Sequence, residues 1–193
     1  MSVHRRSMFQ EAGALVMQWF KDNEARATEI LGGMNLYPIL SAVRQLPGGS
    51  DLLSFECRGA QEMLLYASLI PYAREAHRVK IVVPDASYTR EVALGVGSYE
   101  HGPVYKMKLI THTCSSWDKP VPYVVVCTDA VSASISSEVY IVQSDAPAEC
   151  VPSTDFSVVI YYDCQSRESM ERERRANKSC CFVSMFMKKY NVY

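Results

Sequence analysis

The chain has 193 residues, 48% of them hydrophobic and 21% charged, with 20 basic against 21 acidic side chains and a formal net charge of −1. A domain of this size buries roughly 70% of its unfolded surface, so it needs neither disulfides nor a metal to fold. The composition excludes a disordered chain, and the charge balance excludes a global attraction to nucleic acid or membrane.

Helical spacing dominates the first part. Ser7 and Gln10 form a capping-box pattern, and Met8, Ala12, Leu15, Val16 and Trp19 then share one face, with Phe9 and Phe20 at its margin. A second helix runs from Asp22 or Asn23 to Leu31, where Gly32-Gly33 ends it. Asn35 caps a third, which tolerates Pro38 in its first turn and carries Leu36, Ile39, Leu40, Val43 and Leu46 on one stripe. Leu53, Phe55 and Cys57 alternate with polar residues as in a strand. Gly59 to His77 reads as a helix kinked at Pro71, and Val79 to Val83 as the next strand. That order permits a parallel crossover, but Arg58-Gly59-Ala60 holds a single glycine, so a glycine-rich nucleotide fingerprint is absent.

Beyond residue 80 the pattern changes to β-branched and aromatic runs separated by turn residues. Six strands are expected: Arg90–Val96, Val104–Thr113, Tyr123–Thr128, Val139–Gln143, Phe156–Asp163 and Cys181–Met187. A charged helix over Ser166–Lys178 interrupts them. The expected architecture is one α+β domain over residues 1–193, helix-rich over 1–79 and strand-rich over 80–193. In it, an N-terminal helical layer packs on a mainly antiparallel β-sheet or β-sandwich.

Seven cysteines and no leader sequence point to a reducing, cytoplasmic setting with free, structural thiols. No segment has the roughly 20 apolar residues of a membrane-spanning helix. For metal, the nearest pattern is His112-Thr-Cys114 with Cys127 and Cys164, which does not assemble four ligands, so neither metal nor cofactor is expected. The adjacent Cys180 and Cys181 near Arg174, Arg175 and Lys178 carry a redox-switch reading, set against a plain helix-to-strand junction. An enzyme reading, a small hydrolase or transferase, uses Cys114 or Cys127 with His112, or His101 with Glu100; no G-x-S-x-G elbow supports it. No catalytic residue is therefore assigned.

Charge is uneven along the chain. Ser166–Lys178 carries five basic and three acidic residues, with Glu168/Arg172 and Glu171/Arg175 at the helix-supporting spacing of four. Arg172, Arg174, Arg175, Lys178, Lys188, Lys189 and Tyr190 are the residues expected to contact a partner. Tyr161, Tyr162, Phe182, Phe186 and Tyr193 flank them as candidate stacking platforms. Twelve tyrosines and nine methionines suit an interaction surface. The leading expectation is a non-catalytic interaction or self-assembly protein, with the size and composition of small viral matrix, capsid or host-interaction proteins. Its partner is itself or another protein; nucleic acid or an acidic membrane surface meeting the C-terminal basic patch is the further alternative.

Overall fold

Two apolar runs decide the architecture. Val158–Tyr162 and the first five positions of Cys181–Met187 bury every side chain, not every second one. A strand buried on both faces belongs inside a parallel sheet with helices on either side. The computed structural model describes residues 8–30, 32–49, 52–97, 105–113, 115–119, 121–128, 137–147, 150, 156–163, 167–177 and 180–187. The elements are α1 (Met8–Asp22), α2 (Glu24–Ile30), α3 (Tyr37–Gln45), β1 (Leu53–Cys57), α4 (Ala60–Ala73), β2 (Arg78–Val83) and α5 (Ala86–Gly97), then β3 (Tyr105–His112), β4 (Val121–Thr128), β5 (Ser137–Gln143), β6 (Val158–Tyr162), α6 (Arg167–Ala176) and β7 (Cys181–Met187).

The seven strands form one sheet in the order β1-β7-β6-β2-β5-β4-β3. Its first five strands are all parallel. The hairpin β3–β4 extends it, with β4 antiparallel to both β3 and β5. This is an α/β fold, which overturns the expected α+β architecture with an antiparallel sheet or sandwich. The order strand, helix, strand recurs as β1-α4-β2 and β6-α6-β7, and parallel neighbours need such crossovers.

The largest local departure is residues 86–97, expected as a strand over Arg90–Val96 and found as helix α5. Its β-branched and aromatic composition suggested a strand, but the buried positions Val92, Ala93 and Val96 follow helical spacing. Asp85 caps it, its Oδ1 accepting the Ser87 N–H at 2.9 Å and the Ser87 hydroxyl. Gly95 lets α5 close on α4: a Cβ there would lie 2.4 Å from the Leu64 side chain.

Alternation along the strands assigns the two faces of the sheet. Val79, Ile81, Val83, Ile160, Tyr162 and Val183 join the main core beneath α4 and α5, with α1 and α3 packed outside α4. On the opposite face Val82, Val159, Tyr161 and Phe182 meet Met170 of α6. Among the described side chains of α1, Val16, Met17 and Phe20 are buried, while Leu15 and Trp19 point outward, one residue round from the expected face. Gly13 permits that contact, since a Cβ would fall 2.2 Å from the Tyr72 carbonyl oxygen. The N-cap of α3 is Leu36, without a side-chain cap, and not the expected Asn35, which stands one residue earlier with its Oδ1 accepting the Tyr37 N–H at 3.2 Å. The Ser7–Gln10 capping box lies outside the residues whose side chains are described. Among the described residues, no helix is long and apolar enough to cross a membrane.

Candidate ligand crevice at the carboxyl ends of β2 and β6

β2 and β6 are parallel neighbours whose last residues lie level, with Val82 beside Tyr161. After β2 the chain turns through Pro84 and Asp85 into α5 on one face; after β6 it leads to α6 on the other. Open α/β sheets bind ligands where adjacent strands send their connections to opposite faces, because the two departing segments leave a crevice between them. This sheet has that switch point between β2 and β6.

Asp163 stands in it, immediately after β6. Its φ of +57° lies in the left-handed region, which aspartate tolerates better than most residues. The turned backbone aims the carboxylate across the crevice. Oδ2 accepts the Tyr88 hydroxyl of α5 at 2.9 Å, and Oδ1 accepts the Met187 N–H at 3.3 Å, while the Asp163 N–H donates to the Met185 carbonyl at 2.8 Å. The carboxylate is thus anchored to two segments, α5 and β7, at the end of β6. Each oxygen has accepted one hydrogen bond and retains acceptor capacity. Asp163 is half-buried, neither sealed in the core nor fully in solvent.

The electrostatics follow from the neighbours. The Tyr88 hydroxyl is pushed above its ordinary pKa first by its hydrogen bond to Asp163, then by burial and by the charges of Asp163, Asp85 and Glu91. Asp85 is held below the usual carboxylate range by the two Ser87 hydrogen bonds and, more weakly, by Lys119. Lys119, 5.5 Å from the Trp117 ring centroid, is carried by the loop between β3 and β4. Gln143, the last residue of β5 and the register partner of Val83, is 95% buried by its 5% exposure, and its Oε1 has no hydrogen-bond partner.

A second polar cluster lies beneath α6. Glu173 pairs with Lys80 of the central strand through Oε1, and its Oε2 accepts the Tyr161 hydroxyl at 2.5 Å. The Lys80 ammonium also sits 5.5 Å from the Phe156 ring centroid. α6 is otherwise polar, and the only apolar side chain it contributes to the described core clusters is Met170. A half-buried charged pair acts as a positional latch for a helix with so little apolar surface.

The residues expected to meet a partner divide in three ways. Arg172 and Arg175 are exposed and line an open cavity of about 520 Å³ together with Glu168 and Glu171. Arg174 instead pairs with Glu171 at 2.7 Å, three residues earlier in the helix. Lys178, Lys188, Lys189 and Tyr190 lie outside the described residues. Of the expected stacking aromatics, Tyr161, Tyr162 and Phe182 are buried in the sheet and cannot receive a base.

The sheet also separates the expected nucleophile pair. His112 pairs with Val121 and Cys127 with Lys106, so the two stand at opposite ends of the hairpin, roughly 20 Å apart along the strand. Glu100, His101 and Cys114 lie outside the described residues. Among those described, no group of three His, Cys, Asp or Glu side chains could hold a metal ion. Cys57, Cys180 and Cys181 are free and buried, and burial pushes the Cys57 and Cys180 thiols up to about 12. That is opposite to the lowered value a redox switch at Cys180-Cys181 requires. Cys150 departs from the expectation of free thiols: it is disulfide-bonded, and Ser116 Oγ lies 3.4 Å from its sulfur.

Sequence reasoning missed Asp163 and Tyr88, which are 75 residues apart and meet only when β6 and β2 pair. The available signal was the turn Pro84-Asp85 before a helical burial pattern. The sequence matches no protein-family model and no curated protein.

Proposed function

We propose that this chain is a ligand-binding α/β domain whose site is the crevice at the carboxyl ends of β2 and β6. Its ligand is a small, hydroxyl-bearing molecule of the nucleoside or sugar class. The observation that carries the reading is Asp163, anchored by Tyr88 and Met187 at the point where neighbouring parallel strands diverge. A fixed carboxylate with acceptor capacity to spare suits a hydroxyl donor, as acidic residues beside such crevices do for ribose. The test is a thermal-shift panel of nucleosides, sugars and amino acids on the wild type and on Asp163→Asn. At least one ligand stabilises the wild type, by about 2.7 kcal/mol at a hundredfold excess over Kd, and the variant loses that gain. Stabilisation by no member of the panel, or equally in both proteins, contradicts the reading.

A second reading, an interaction or self-assembly protein, is favoured by Leu15 and Trp19. They are 66% and 45% exposed, one helical turn apart on α1. Light scattering tests it: association that Leu15→Glu and Trp19→Glu abolish supports it, and an unchanged monomer contradicts it. Contact through the basic patch has less support, because Glu168 and Glu171 share the cavity with Arg172 and Arg175.

A further inference from the structure

We infer that Asn177 is the acceptor of an N-linked glycan, in a chain that matures where disulfides form. Two independent observations carry this. The first is covalent: Cys150 is disulfide-bonded and 0% exposed. A chain of this length folds without a disulfide, so the bond reports the redox setting and not a need of the core. A catalytic or sensing disulfide must meet a thiol from solution, which a fully buried sulfur does not. Cys57, Cys180 and Cys181 are free, so the partner is Cys114, Cys127 or Cys164. The bond forms when two thiols pass two electrons and two protons to a disulfide donor, which leaves as a dithiol. That setting is the opposite of the reducing one expected.

The second observation is positional. Asn177-Lys178-Ser179 is the chain's single Asn-x-Ser/Thr pattern, the acceptor signal for N-glycosylation. Asn177 is exposed, immediately after α6, and its carbonyl accepts the Cys180 N–H at 3.3 Å, the spacing that closes a turn. Its Nδ2 has two protons. One is donated to the Glu173 carbonyl at 3.2 Å, which leaves the other to exchange for a sugar. Transfer from a lipid-linked pyrophosphate donor forms the bond from the anomeric carbon to Nδ2 and breaks the sugar–phosphate bond; lipid pyrophosphate and the Nδ2 proton leave. β6 and β7 are parallel, so α6 returns the chain from their carboxyl ends to their amino ends. Asn177 therefore lies a helix length of roughly 15 Å from the crevice end of the sheet, and a glycan there leaves the crevice open.

The full chain, secreted from eukaryotic cells behind a cleaved leader, is compared with the same chain made in the cytosol. The secreted chain carries one glycan, and an amidase that cleaves N-glycans leaves aspartate at position 177. Its thermal midpoint is no lower with the glycan than without it. Ser179→Ala abolishes the glycan and Ser179→Thr retains it, which separates recognition of the hydroxyl from a failure to fold. Non-reducing peptide maps show Cys150 linked, with Cys57, Cys180 and Cys181 alkylated only after unfolding. The cytosolic chain, with Cys150 reduced, has the lower midpoint. A secreted, folded chain bare at Asn177, or one destabilised by its glycan, overturns the glycan site. Cys150 alkylated in the folded secreted chain, or a cytosolic chain equally stable with Cys150 reduced, overturns the oxidising setting and the inference with it.

Discussion

The helices that leave the two neighbouring strands at the crevice are held in opposite ways. α5 follows β2 and is fixed by apolar burial: Val92, Ala93 and Val96 enter the main core, Gly95 lets it close on Leu64, and Asp85 caps its start. α6 follows β6 and lies on the sheet through Met170 and the Glu173–Lys80–Tyr161 cluster. Apolar burial is non-directional and adds with area, so α5 is insensitive to any one polar contact. A charged cluster depends on each of its members, because removing one leaves the other buried and unpaired. The crevice therefore has one wall set by packing and one wall set by polar geometry.

Three experiments separate the two walls. The largest effect belongs to α5. Val92→Ala removes two buried methyl groups and leaves a cavity, lowering stability by about 2–3 kcal/mol in denaturant titrations. The whole domain should lose stability, since Val92 lies in the core shared with α4 and the sheet.

Next comes the latch. Lys80→Met strands Glu173 and costs about 1–3 kcal/mol, with faster amide exchange in α6 than in α5. The double variant Lys80→Met/Glu173→Leu returns to within about 1 kcal/mol of the wild type, because an apolar pair needs no counter-charge. If the double variant is no better than the single one, Lys80 and Glu173 are not acting as a pair.

The smallest effect is the cap of α5. Asp85 has a folded pKa below its unfolded value, so its contribution is present above the ordinary carboxylate range and disappears as pH falls through the lowered value. Thermal midpoints measured from pH 7 downward should fall more steeply for the wild type than for Asp85→Asn. Parallel curves for the two proteins would remove the cap from the account.

How much of this was legible depended on whether the information was local. β1 and β7 lie at their expected bounds, α4 and α6 fall within their expected segments, and β2 begins one residue before the expected Val79, because periodicity and turn residues report local structure. Strand direction was missed, although Val158–Tyr162 and Cys181–Met185 are continuous apolar runs, the mark of strands covered on both faces. The helical stretch at Ser166–Lys178 was read as an interruption when it is the crossover that makes β6 and β7 parallel. α5 was misread because Tyr88, Thr89, Val92 and Val96 favour strands by composition, and tertiary packing overrode that preference. The crevice could not be read along the chain at all. Its residues come from α5 and the end of β6, and their meeting is a consequence of strand order.

The central claim is that the crevice between β2 and β6 takes the ligand, and hydrogen exchange read by mass spectrometry tests it most directly. With a saturating nucleoside or sugar that stabilises the wild type, peptides spanning 84–91 and 158–163 should exchange more slowly, while α1 and α3 exchange at their unliganded rates. Protection confined instead to α6 around Arg172 and Arg175, or absent everywhere, would contradict the account.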